Sequence, residues 1–164
     1  MKLIAHGIEA DLLAGWEGRI SVRRVPVSVH ASTRMSDTTA ATEQTHPVMH
    51  LANFPLPEQR GDFGSGAVDL MGSGHVLVVL FEYGPESVDQ PLFRRRGLPT
   101  RLRPDMFSGS ALQRTIAGQA GAQAFFTEAG RAFCLYVVLG RQREATPLVA
   151  LANRSLSATG ISPR

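Results

Sequence analysis

Arg131-Ala132-Phe133-Cys134-Leu135-Tyr136-Val137-Val138-Leu139-Gly140 is the stretch that decides how the chain is read. It is rich in aromatic and β-branched residues and has a glycine on each side, Gly130 and Gly140. Such a run predicts a central strand buried on both faces. His75-Val76-Leu77-Val78-Val79-Leu80-Phe81-Glu82-Tyr83 repeats the pattern, with Gly74 before it and Gly84-Pro85 after it. The two runs predict the middle of a sheet, and the rest of the chain reads as material that covers it.

The chain has 164 residues, a natural size for one domain with a real core. Its 43% hydrophobic content is ordinary for a globular domain and excludes disorder over most of the chain. Lys2 is the only lysine, against sixteen arginines. Arginine excess can mean recognition of phosphate or carboxylate, but a GC-rich genome also favours it. The arginines are scattered apart from one cluster, so only that cluster is read as a signal. A single cysteine excludes an intrachain disulfide and a cysteine-based zinc site. Cys134 sits inside the strongest strand and is read as a small buried hydrophobe. The first eleven residues are broken by His6, Glu9 and Asp11 and do not resemble a signal peptide. No window approaches the roughly 20 apolar residues of a spanning helix. The expected location is cytoplasmic.

Outward from the two runs, residues 2–11 read as one strand. Residues 16–24 alternate, with Trp16, Gly18, Ile20 and Val22 on one face and Glu17, Arg19, Ser21 and Arg23 on the other. The Gly15 turn is expected to join these two segments as a hairpin. From about 25 to 45 small polar residues dominate, which reads as a flexible insertion in the single domain 1–164. Residues 47–54 are a third strand candidate, with Val48, His50, Ala52 and Phe54 facing one way. Residues 58–66 are a glycine-rich loop, and 67–71 a short strand or turn. Pro91, Pro99 and Pro104 prevent any long helix between 84 and 121. Residues 119–126 predict a strand that forms a hairpin with 131–139 through 127–130. Thr146-Pro147 opens a terminal helix with an apolar stripe at Leu148, Leu151, Ala152 and Leu156, and Gly160 is read as its end. The expected fold is α+β, a single twisted antiparallel β-sheet covered by a C-terminal α-helix and irregular loops.

No constellation for chemistry emerges. Gly61-Asp62-Phe63-Gly64-Ser65-Gly66 lacks the Lys-Ser/Thr pair of a P-loop. His46 and His50 on a strand would share a face about 13 Å apart, too far for one metal. No serine occupies a Gly-x-Ser-x-Gly elbow. No catalytic, cofactor-binding or metal-ligating residue is therefore assigned, and no cofactor is expected. Should a pocket exist between sheet and loops, Asp62, Glu82 and His50 are its candidate polar residues, although Glu82 reads more simply as a solvated strand end.

The local charge feature is Arg94-Arg95-Arg96-Gly97-Leu98-Pro99-Thr100-Arg101-Leu102-Arg103. Arg94, Arg95, Arg96, Arg101 and Arg103 fall in a loop-rich region and should be exposed. The simple account is a solvated loop, partly paired with Glu86, Asp89 and Asp105. The functional account is an anionic partner, with another protein favoured over nucleic acid, because only Phe93 and Phe107 flank the cluster.

The order of elements resembles the PsbP/Mog-like α+β fold. There, an early strand leads through a turn into a Trp-bearing strand, here Ala10-Asp11-Leu12-Leu13-Ala14-Gly15-Trp16-Glu17, and a terminal helix packs across an antiparallel sheet, here residues 146–158. The family's usual proline before that glycine is replaced by leucine and alanine. The whole chain also looks like uncharacterised proteins of high-GC actinobacteria, sharing runs such as residues 81–87 and 130–140, a likeness that implies no activity. The PsbP/Mog-like resemblance implies assembly factors, extrinsic subunits or small binding proteins, and carries over no functional residue. The expected function is thus a non-catalytic domain that binds another protein or serves as a subunit of a larger assembly. The alternative is a small ligand-binding protein or enzyme.

Overall fold

A computed structural model describes residues 1–25 and 44–164. Its strands are β1 (Lys2–Ala5), β2 (Ile8–Asp11), β3 (Glu17–Val25), β4 (Gln44–Ala52), β5 (Val76–Glu82), β6 (Ala120–Glu128), β7 (Arg131–Leu139) and β8 (Thr159–Ile161). The helices are α1 (Ser65–Val68) and α2 (Ala145–Ser157). The expected insertion at about 25–45 falls, over residues 26–43, outside the described residues.

The class is α+β with antiparallel pairing, but the expected single sheet is two. Five strands run in the order β3-β4-β5-β7-β6, and a separate sheet runs β1-β2-β8. The division begins at His6-Gly7, where both residues have positive φ, 52° and 71°. A two-residue turn of that kind folds a strand back on itself. Residues 2–11 are therefore a hairpin, paired from Lys2↔Asp11 to Ala5↔Ile8, and not one strand. The expected hairpin through Gly15 does not form. The outer edge of β2 is taken by β8, and β3 pairs with β4 from Glu17↔Ala52 to Val25↔Gln44. Gly160 does not end the helix either. α2 stops at Ser157, and Gly160 lies within β8, opposite Glu9. Residues 67–71, expected as a strand or turn, contain the end of the single helical turn α1.

The two apolar runs hold the centre of the large sheet, as their composition predicts. β5 and β7 are buried along their whole length. On one face Val78, Leu80, Leu135 and Val137 meet Leu148, Val149, Ala152 and Leu156 of α2, together with Ile8 and Ala10 of the small sheet. On the other, Leu77, Val79, Cys134 and Tyr136 meet Phe63, Ala67, Val68 and Leu112 from the connecting segments. Each fully buried side chain of this size contributes about 1.5–3 kcal/mol. Gly140 is required where it stands, since a Cβ there would lie 1.8 Å from the carbonyl oxygen of Gly72.

The two sheets are fastened by Arg131, the first residue of β7. Its side chain and that of Glu82, the last residue of β5, are each 4% exposed. Nε donates to Glu82 Oε1 at 3.0 Å and Nη2 to Oε2 at 2.7 Å. Nη1 donates to the carbonyls of Gly7 (3.2 Å) and Ser162 (2.8 Å), and Nη2 to that of His6 (2.9 Å). All five N–H groups of the guanidinium are satisfied. The His6-Gly7 turn makes this approach possible. A Cβ on Gly7 would come within 2.7 Å of Arg131 Nη1. Glu82, read from the sequence as a solvated strand end, is instead a buried counter-ion that Arg164 also approaches, at 3.1 Å.

Removing one partner leaves the other charged and buried, which costs about 3–5 kcal/mol. Glu82→Gln should lower urea stability by that amount, and Arg131→Met by less on the charge account, because Arg164 stays 3.1 Å from the Glu82 carboxylate. Arg131→Met/Glu82→Leu should recover much of the loss, and a double-mutant cycle measures the coupling.

Candidate functional site

The prolines that exclude a long helix between residues 84 and 121 do more than break structure. Pro85, Pro91 and Pro104 each begin a short 3-10 turn, where a fixed φ is suitable and no N–H is needed. The segment between Phe93 and Ser108 forms a strap fastened at both ends to the outer edge of β6. At one end Thr127 N–H donates to Arg95 C=O (2.8 Å), Gly97 N–H donates to Thr127 C=O (2.9 Å), and Thr127 Oγ1 donates to Phe93 C=O (2.8 Å). The Glu128 carboxylate accepts from Leu98 N–H at 2.9 Å. At the other end Ser108 and Gly121 exchange two backbone bonds of 3.0 and 2.9 Å. At mid-strap Asn153 of α2 receives Leu102 N–H on Oδ1 (2.8 Å) and donates Nδ2 to Leu102 C=O (3.0 Å).

Leu102 and Phe107 anchor the strap in the core. Arg94, Arg95, Arg96, Arg101 and Arg103 are all exposed, as the sequence predicts. Of the three carboxylates expected to neutralise them, Asp105 alone does so, pairing with Arg103 at 3.0 Å. Among the described residues no carboxylate pairs with Arg94, Arg95, Arg96 or Arg101.

Beneath the strap is a groove of about 290 Å³, lined by Arg95, Leu102, Met106, Ala122, Gln123, Ala124, Leu135 and Val137. It exists because β6 presents alanine at 120, 122 and 124 where its neighbour β7 presents leucine and valine. Alanines leave the space under the strap unfilled. The sequence signal was the Ala-x-Ala-x-Ala alternation, which carries little weight on its own. A second cavity, bounded in part by Phe63 and Tyr136, has about 30 Å³, room for little more than a water.

The structure does not assemble the alternative polar set. His50 Nε2 lies 3.0 Å from the main-chain carbonyl of Asp62, not from its carboxylate. That carboxylate faces Arg23 at 3.8 Å, and Glu82 is held by Arg131. His46 and His50 lie on one strand, β4, and among the described residues no group of three or more His, Cys, Asp or Glu is placed to hold a metal. Burial pushes the Cys134 thiol up to about 12, the behaviour of a core residue. Tyr136 is also in the core, its hydroxyl accepting Gln113 N–H at 3.1 Å while burial raises its pKa. No helix among the described residues is long and apolar enough to cross a membrane.

Comparison with protein-family models, with curated proteins and with solved structures gives no match to this chain.

Burial holds His50 down to about 4, from an ordinary value of 6.5, with the charge of Arg60 adding to the effect. His50 is therefore neutral in the fold, and the unfolded chain takes up the proton first as pH falls. Its stabilising contribution is complete above about pH 6.5 and is lost towards pH 4, a change of about 3 kcal/mol. His50→Gln should flatten that part of a stability–pH profile measured by urea unfolding. Asn153→Ala should leave Leu102 N–H without its partner, cost about 1–3 kcal/mol, and speed amide exchange at Leu102.

Proposed function

We propose that the chain is a non-catalytic binding domain, or a subunit of a larger assembly, which docks an acidic protein surface on the arginine strap and the groove beneath it. One observation carries this reading. Four exposed arginines without a carboxylate partner among the described residues stand on a backbone tied to β6 at both ends and to α2 in the middle. A loop held in this way loses little conformational freedom on binding. Planar guanidinium groups suit bidentate recognition of carboxylates. The groove adds apolar area beside the charge, and Met106 at its rim is 37% exposed. A charged rim around an apolar centre is the usual anatomy of a protein interface.

Nucleic acid is disfavoured by where the aromatic rings lie. Phe93 and Phe107, which flank the arginines, are 2% and 4% exposed and cannot stack on bases. The role implied by the PsbP/Mog-like resemblance, an assembly factor or extrinsic subunit, agrees with a protein partner. A second reading takes the groove as a site for a small molecule with an apolar body and an anionic head set against Arg95. Its volume of about 290 Å³ is at the lower end of the range for such ligands.

Co-purification from the native cell tests the proposal. Wild-type protein should retain a stoichiometric protein partner after nuclease treatment. Arg94→Glu/Arg95→Glu/Arg96→Glu should weaken its retention at least tenfold without lowering the melting temperature, and rising salt should weaken the wild-type complex. Equal retention by wild type and the charge-reversed variant overturns the reading.

A further inference from the structure

We infer that the partner engages this site as an extended acidic peptide, adding a short strand to β6 between the two points where the strap is tied down. The inference rests on the reading of the strap as a docking surface and adds to it the binding mode and the partner's shape.

The argument starts from β6 hydrogen-bond parity. Along an antiparallel strand, alternate residues direct their N–H and C=O groups to the neighbour on one side, and the residues between them to the other side. Gly121 and Thr127 use theirs on the side away from β7, bonding Ser108 and Arg95–Gly97 of the strap. The register with β7 is continuous from Ala120↔Leu139 to Glu128↔Arg131, so no bulge changes the parity. Gln123 and Phe125 therefore direct their backbone groups outward as well. Among the described residues neither has a backbone partner there. The result is a sheet edge open over two pairing positions and closed at each end by the strap.

A strand laid in that gap would receive up to four backbone bonds from Gln123 and Phe125. Its alternate side chains would point to opposite faces of the sheet. One set would enter the groove, whose floor is Ala122, Ala124, Leu135 and Val137. The gap from Gly121 to Thr127 is about 20 Å along the strand, enough for three or four extended residues between the ties. One end of the peptide must then leave the plane of the sheet beside the exposed Arg94, Arg95 and Arg96, which adjoin the Thr127 tie, while the exposed Arg101 stands on the middle of the strap.

That charge selects the occupant. A second copy pairing β6 to β6 across a two-fold axis would bring two such arginine straps together, with Asp105 already paired to Arg103 and the Glu128 carboxylate held by Leu98 N–H. Like charges at close range oppose that arrangement, whereas a peptide with Asp or Glu on either side of a short apolar centre is complementary to it.

The test uses the full chain and an array of nine-residue synthetic peptides with three central apolar residues and either Asp/Glu or Lys flanks, read by fluorescence anisotropy. Acidic peptides should bind at least tenfold tighter than their Lys-flanked counterparts. Methylating the backbone nitrogens at one alternate set of central positions should weaken binding at least tenfold, and at the other set should not. Gln123→Pro should weaken binding as much, since its N–H faces away from β7 and no ladder bond is lost. Binding that needs the arginines but ignores both N-methylated sets overturns the strand-addition mode while the strap reading stands. Absence of binding by any peptide up to 1 mM also overturns the mode, and the co-purification result decides the strap reading separately. Binding indifferent to flank charge overturns both. A wild-type dimer in sedimentation that Gln123→Pro converts to monomer makes a second copy the occupant and overturns the proposal.

Discussion

The Arg131–Glu82 pair is the contact on which the relation between the two sheets depends. Glu82 ends β5 and Arg131 begins β7, the two central strands, and the guanidinium then reaches three carbonyls that belong to or adjoin the small sheet. A buried charge pair is a poor source of net stability, because the cost of removing both ions from water rivals their attraction. Its effect here is geometric. Five N–H donors in a rigid fork are satisfied by one arrangement of His6, Gly7, Glu82 and Ser162, and a sheet packed by apolar contact alone would slide more easily. The same need accounts for the His6-Gly7 turn. Its positive φ angles aim two carbonyls at Arg131, and Gly7 leaves room for the guanidinium.

With the small sheet and α2 set against one face of the large sheet, the other face is closed by α1 and the segments around Phe63 and Leu112. β5 and β7 are then buried on both sides, and function is left to the edges. The β6 edge is only partly protected. Thr127 and Gly121 tie the strap to it, and among the described residues the interval between them remains open. Natural sheets cover or charge such edges to prevent self-association. Here the cover is incomplete and the charge is concentrated beside the opening.

The core of this fold was legible because β5 and β7 announce themselves through composition, and the β6–β7 hairpin and α2 follow from glycine, proline and helical spacing. The second sheet was not legible. A four-residue hairpin arm such as Lys2–Ala5 is too short to show its own periodicity, and His6-Gly7 looks like part of one loose alternation. β8 is three residues long and directly follows a helix, so Gly160 resembled a helix stop. Glu82 misled for a different reason. Its partner is 49 residues away in sequence, and only the folded chain brings a cation to it. The arginines at 94–103 could be picked out by charge density. Their support could not, because Asn153 lies 51 residues from Leu102 and the groove results from three alanines on a strand whose register is set by β7.

Arginine density and edge geometry belong to one argument. An open edge with an apolar groove beside it would, on a neutral surface, invite pairing with any exposed strand, including the same strand of another copy. Arginines placed at the Thr127 end of the opening and along the strap raise the cost of that pairing, and they lower the cost of docking for a strand that brings carboxylates. The number of pairing positions limits the rest. Two residues can supply no more than four backbone bonds, each of modest net value at about 0.5–1.5 kcal/mol. Backbone pairing alone would therefore bind weakly, and apolar contact in the groove together with charge at the rim must set the affinity. A partner lacking either feature would be rejected, so this edge combines modest strength with selectivity.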